Sequence, residues 1–246
     1  MANRVVFGIL TGQPMSSEES GRQFLTVLQS IAPDLMPQKY GDTEPIRRQF
    51  CFSKIDDALQ LWKDVFLWRR KKPKLLGRYW AGTNHGIHDV VYISIESCQL
   101  DIQLLINVLF EESRAFNATI GYIHKTYNEE KNDLEFYKKS VMPFNQGLTT
   151  YDLRKGLPGI CWAMFFGEPY ITLFGRELLL TSPAFKTKEL SNGIYLQLTD
   201  NIDVSEKEYV EFNSIRNEVI RHLNNSAFAY LGDTEKRIPE FRIGRV

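Results

Sequence analysis

The sequence has no surplus of either charge, no apolar run long enough to cross a bilayer and no paired cysteines. Lys plus Arg and Asp plus Glu number 30 each, for a net charge of zero, so the electrostatic excess that non-specific nucleic-acid binding draws on is missing. Any charged partner must be met by a local patch. The three cysteines, Cys51, Cys98 and Cys161, stand far apart, which suits neither a disulfide framework nor a zinc site. They read as reduced core residues. No stretch approaches the ~18 consecutive apolar residues of a membrane span. The opening MANRVVFGILTGQP lacks a small-residue cleavage pattern, so a secretory signal is not expected and the expected compartment is the cytoplasm.

The local signatures of catalysis are missing too. There is no glycine-rich phosphate loop, no dinucleotide fingerprint and no Gly-x-Ser-x-Gly turn, so no cofactor is expected. His85 and His88 in NHGIHD, with Asp89 beside them, have metal-like spacing but no second pair of ligands. No metal is expected there, and the segment reads as a polar turn open to a partner contact. Carboxylate pairs such as Glu18-Glu19, Asp56-Asp57, Glu111-Glu112 and Glu129-Glu130 are sequence neighbours whose side chains diverge on a helix, so none stands out as an acid–base pair.

What is present is a core-forming pattern, with 43% hydrophobic and 24% charged residues. Strands are expected at Arg4 to Leu10, Val90 to Ile95, Phe116 to His124, Ile160 to Phe166, Glu177 to Thr181 and Ile194 to Thr199. Helices are expected after Ser16, over Ile55 to Phe66, across SCQLDIQLLINVLFEESR, over Pro169 to Phe174, and after Ser205, whose capping box with Glu208 is the clearest start signal in the chain. In GLPGICWAMFFGEPYITLFG, residues 156 to 175, glycines and prolines interrupt the aromatic residues. That punctuation describes a strand and a helical turn entering a core, not a membrane segment. Short gaps between strands favour hairpins, so the expected class is α+β, an antiparallel sheet with helices packed on one face. Two similar halves, 1–145 and 146–246, are expected to form one compact unit.

WRRKKPK, Trp68 to Lys74, carries five cations in seven residues. It can act as a solvated hairpin that discourages edge pairing or as a patch for phosphate, protein or nucleic acid. The block GLPGICWAMFFGEPYITLFGRELLLTSPAF, the later GIYLQL and a final helix ending in Arg-His-Leu resemble bacterial immunity proteins of polymorphic-toxin and type VI secretion systems, and WRRKKPK ahead of a glycine is similar to the same group. The resemblance implies a protein that binds and neutralises a cognate toxin by occlusion, without catalysis of its own, and it transfers no functional residues. Residue type and expected loop placement nominate Trp68, Arg69, Arg70, Trp80, His85 and His88 as the partner-binding set. Two other readings stay open: a hydrolase-type enzyme whose site is assembled from distant residues, and nucleic-acid binding through residues 68–74, a partner that the neutral net charge disfavours.

Overall fold

RVVFGILT, residues Arg4 to Thr11, is apolar on both sides of its pleat, and every residue after Arg4 is buried. A strand of that composition belongs in the middle of a sheet. In the computed structural model, which describes residues 4–82, 87–96, 101–231 and 235–241, this segment is β1, flanked on both sides by antiparallel partners. The others are β2 (Lys39–Gly41), β3 (Arg48–Gln49), β4 (Val65–Lys71), β5 (Lys74–Trp80), β6 (Asp89–Glu96), β7 (Ile120–Lys125), β8 (Ala163–Gly167), β9 (Lys186–Leu190) and β10 (Gly193–Gln197). They form one sheet in the order β3-β2-β4-β5-β6-β1-β7-β8-β10-β9, antiparallel throughout. The class is therefore α+β, and because β7 pairs with β8, the sheet runs unbroken past residue 145.

Ten helices accompany it among the described residues: α1 (Glu18–Ile31), α2 (Ile55–Leu59), α3 (Ile102–Ala115), α4 (Asn128–Asn132), α5 (Leu134–Phe136), α6 (Met142–Gln146), α7 (Thr150–Leu153), α8 (Glu168–Phe174), α9 (Arg176–Leu180) and α10 (Glu206–His222). None is long and apolar enough to cross a membrane. Register decides which side chains share a face. Phe7, Ile93, Gly77, Trp68 and Tyr40 form one cross-strand row, and α1 covers it, with Phe24 edge-on to Trp68 at 6.0 Å. Further along the same face α3 places Leu109 over Gly121 and Phe110 against Tyr195 at 4.9 Å.

The opposite face divides. Tyr122 and Phe166 point there, packed on Phe144 of α6 and on Tyr170 and Phe174 of α8, and the Tyr92 hydroxyl donates to the Asn145 carbonyl. Over β2, β4 and β5 that face carries no helix among the described residues. The expected one-sided helix layer thus describes the β2–β5 end, whereas β6, β1, β7 and β8 are covered on both sides.

Several local expectations change. The helix begun at Ile55 stops at Leu59, and Phe66 belongs to β4, where burial alternates residue by residue; Leu59, Trp62 and Phe66 are all buried, but two different periods place them. Glu177 to Thr181 is not a strand: Arg176–Leu180 forms α9 after Gly175, whose φ of 95° redirects the chain. The strand in that region is β9, KTKEL, a charged edge strand without apolar alternation. β7 starts only at Ile120, after Asn117 takes a left-handed φ of 48°. The first helix is capped by Ser17, not Ser16, while Ser205 and Glu208 form the expected capping box. Cys161 is buried but Cys51 is exposed, and Cys98 lies outside the described residues.

Glu112 of α3 is fully buried, and neither carboxyl oxygen has a hydrogen-bond partner among the described residues. Burial, helped by the neighbouring Glu111, pushes its pKa well above the usual carboxylate range, so the side chain stays neutral and its cost grows as pH rises above the unfolded value near 4.5. Glu112→Leu is expected to stabilise the protein by about 1–3 kcal/mol at neutral pH. Urea unfolding at pH 5 and pH 8 should show a larger gain at the higher pH.

Candidate protein-binding face

In β4 (VFLWRRK) and β5 (KLLGRYW) the pleat sorts residues strictly by parity. Phe66, Trp68, Leu75, Gly77 and Tyr79 point toward the helices and are buried. Val65, Leu67, Arg69 and Lys71, with Lys74, Leu76, Arg78 and Trp80 opposite them, point to the side that no helix covers. Three rows of cross-strand neighbours make up this surface: Lys71, Lys74, Glu96 and Arg4; Lys39, Arg69 and Leu76; Leu67 and Arg78. Arg4, Lys39, Arg69, Lys71, Lys74 and Arg78 are cations, and Glu96 is the one acid in those rows, paired with Lys74 at 2.6 Å and with Arg4 at 3.9 Å. Lys39, Arg69, Lys71 and Arg78 have no ion-pair partner among the described residues. A chain of zero net charge therefore concentrates positive potential on one uncovered sheet face.

Beside these rows a groove of about 560 Å³ has a floor of Val65, Leu67, Arg78 and Trp80 and a wall of Met142, Pro143, Gln146 and Thr149. Trp80 is half-buried, held by Gly147, where a Cβ would stand 2.7 Å from its ring and φ is +97°. Lys138 adds a further cation to the groove, and Asp152 an acid engaged in capping α7 through Thr149. The surface combines apolar floor, fixed aromatic edge and cationic rim, the composition of a protein-binding patch.

Of the residues nominated from sequence, Arg69 and Trp80 stand together on this face. Trp68 does not. It is fully buried, its ring lies where a Cβ of Gly77 would be, 1.9 Å away, and it packs on Phe24 and Phe66, so it is removed from any exposed patch. Arg70 points to the helix side, bound to Asp34 at 2.9 Å and to the Lys72 carbonyl at 2.8 Å. His88 is buried, with Nδ1 2.9 Å from the Thr150 hydroxyl and its ring edge-on to Phe241 at 4.8 Å. His85 lies outside the described residues. Trp68, Arg69 and Arg70 are parted because the WRRKKPK run is a β-hairpin whose successive residues face opposite sides. Asp89, next to His88, accepts hydrogen bonds from the Met15 and Gly82 amides, each at 2.6 Å, and from the Tyr79 hydroxyl at 3.0 Å. It is a structural clasp.

A second cluster went unnoticed in the sequence. Arg216 of α10 donates from Nη2 to Glu130 Oε1 at 2.5 Å, and Glu130 Oε2 lies 3.2 Å from His124 Nε2 and accepts from the Tyr127 amide at 3.0 Å. All three side chains are buried. Burial opposes ionisation of Glu130, but His124 and Arg216 outweigh it and hold the carboxyl down to about 2. The signal was a lone cation on the inward face of the last helix, between Phe212 and Val219. Cys161 lines a cavity with His124 and Arg216, the kind of convergence a hydrolase needs. The chemistry does not follow: burial pushes the Cys161 thiol well above its usual range, His124 Nδ1 accepts the Trp162 amide at 3.3 Å, and Nε2 is turned to Glu130. The imidazole has no free nitrogen to take a thiol proton, so these groups form no nucleophile–base pair.

Two buried groups set the acid response. Burial, with Arg154 nearby, lowers the His88 pKa from 6.5 to about 4, so between those values the unfolded chain binds a proton that the folded one refuses. Stability should fall by up to about 3 kcal/mol as pH drops through that window, and His88→Gln should shrink the difference between urea midpoints at pH 7 and pH 5. Glu130, depressed from 4.5, contributes above 4.5 and loses its contribution as pH falls toward 2. Glu130→Gln should cost about 3–5 kcal/mol at pH 7 by leaving Arg216 unpaired, with the gap to the unsubstituted protein narrowing below pH 4.5.

No known family model matches the chain, and no curated protein sequence matches it. Among solved structures, the fold is similar to that of the Pseudomonas aeruginosa T6SS protein PA0821, with a TM-score of 0.52 and 14% identity over 88% of this chain and 76% of that one. At that identity the likeness is one of fold.

Proposed function

We propose that this protein is a non-catalytic immunity protein that neutralises a toxin of a type VI secretion system, laying its uncovered cationic sheet face over an acidic surface of the toxin. The observation that carries the reading is the segregation of charge: six cations to one acid across the open rows of β2, β4 and β5 and the adjoining strand-end residues Arg4 and Glu96 in a chain with no net charge. Such a patch steers an acidic partner and suppresses wrong ones, while Leu67, Leu76 and Trp80 supply apolar area for a desolvated centre. The fold likeness to a T6SS protein and the resemblance of the C-terminal block to immunity proteins support the same context. Nucleic-acid binding through residues 68–74 loses its flanking stacking ring, because Trp68 is buried.

The neighbouring reading frame is expected to encode a secreted protein with a variable C-terminal toxin domain. In cells expressing that domain, the unsubstituted protein should restore growth, and Arg69→Glu with Arg78→Glu should weaken binding by about tenfold or more and abolish rescue. Both side chains are exposed, so the thermal midpoint should stay unchanged. Lys186→Glu, on the far edge strand, serves as the control that keeps rescue. Full rescue by the double charge reversal would place the binding surface elsewhere.

A further inference from the structure

A cavity of about 270 Å³ lies on the same sheet face as the cationic rows, at the helix-covered β7 end. It is enclosed by the turn Tyr137–Val141, the segment Pro158 to Cys161 and α10. Phe136, Val141, Phe144, Ile160, Ile220 and Leu231 supply its apolar wall, Arg216 is a buried charge in the lining, and Asp133, Glu135 and Lys139 are exposed charges in it. That guanidinium donates to Glu130 through Nη2 and also interacts with the Tyr209 hydroxyl; Nε and Nη1 are buried and have no hydrogen-bond partner among the described residues. Buried N–H groups are nearly always paired, and one left unpaired is costly. Phe136 stacks on the guanidinium at 5.5 Å and Phe212 at 4.6 Å, and of the two Phe136 is the half-buried one that lines the cavity, so a shift of its ring would open the guanidinium to a ligand. Phe136 immediately precedes the turn, and the turn is π-helical, a rare conformation that recurs at functional sites.

The charge balance selects the ligand. Glu130 already neutralises Arg216, Lys139 at the mouth is paired with Glu135 at 2.7 Å, and Asp133 adds a further negative charge there. An anion would meet net repulsion, whereas an uncharged oxygen acceptor meets none. We infer that this cavity is a binding site for a small neutral molecule with an apolar body and one carbonyl or amide oxygen, which accepts hydrogen bonds from Arg216 Nε or Nη1. The site adjoins the groove beside the open rows, Tyr230 lining both, but does not rest on the toxin reading.

Benzamide and benzoate share a shape and differ in charge, so they test both the site and its selectivity. Methyl NMR titration of the unsubstituted protein with benzamide should give saturable shifts at Val141, Ile160 and Ile220, with a dissociation constant on the order of millimolar for so small a probe. Benzoate should bind at least tenfold more weakly. The paired substitution Glu130→Gln with Arg216→Met removes the donors and their counter-charge together, and should reduce benzamide affinity at least tenfold. Absence of saturable shifts at those methyls with benzamide, or tighter binding of benzoate, would overturn the proposal; both readouts use the unsubstituted protein, so they stand even if the paired variant does not fold.

Discussion

The Trp68 ring occupies the space that a side chain on Gly77 would fill, and much of the molecule's outward chemistry depends on that contact. A one-residue slip between β4 and β5 would bring the indole against a side chain and turn every residue of the hairpin to the other face. With the register pinned, Phe66, Trp68 and Tyr79 join Phe24 and Trp62 in one aromatic cluster beneath α1, where Trp62 and Tyr79 stack at 4.4 Å. The same alternation leaves Arg69, Arg78 and their neighbours on the bare side. Core packing and surface charge are thus two outcomes of one pairing.

That arrangement explains how a neutral chain can be strongly polarised. The helices that bury the sheet from β6 onward end their cover at Tyr92 and Trp80, where Gly147 lets α6 turn away. Beyond that edge, outward residues have only water or a partner to face, and the charged ones in β2, β4 and β5 are all cations. A surface this rich in unpaired charge also resists sheet-to-sheet association, since two such faces repel. The central strand β1 shows the opposite choice, apolar on both sides because both are covered.

Much of this was legible in the sequence. The strands β1 and β6, the capping box at Ser205 and the core role of Trp162, Phe165, Phe166, Tyr170 and Phe174 all follow from local patterns, and all are present. What local pattern could not show was face. Trp68 and Arg69 are adjacent letters of one basic run, yet one lies in the core and the other in water, and only pairing with β5 separates them. β9 escaped notice because an exposed edge strand carries no apolar alternation. The Glu130, His124 and Arg216 cluster joins three distant elements, so its sole trace was one cation where α10 should be apolar.

The pairing of Arg4 with Glu96 and of Val5 with Lys125 has a consequence for how the chain is made. This central strand leaves the ribosome well before either neighbour, whose paired residues follow about ninety and about one hundred and twenty positions later, as their partner numbers show. Until then RVVFGILT is an unpaired apolar edge, the kind of segment that aggregates or recruits a chaperone. Through that interval a vulnerable apolar strand stays exposed, and closure of the sheet around it is a late event in which non-local strand pairing sets the pace.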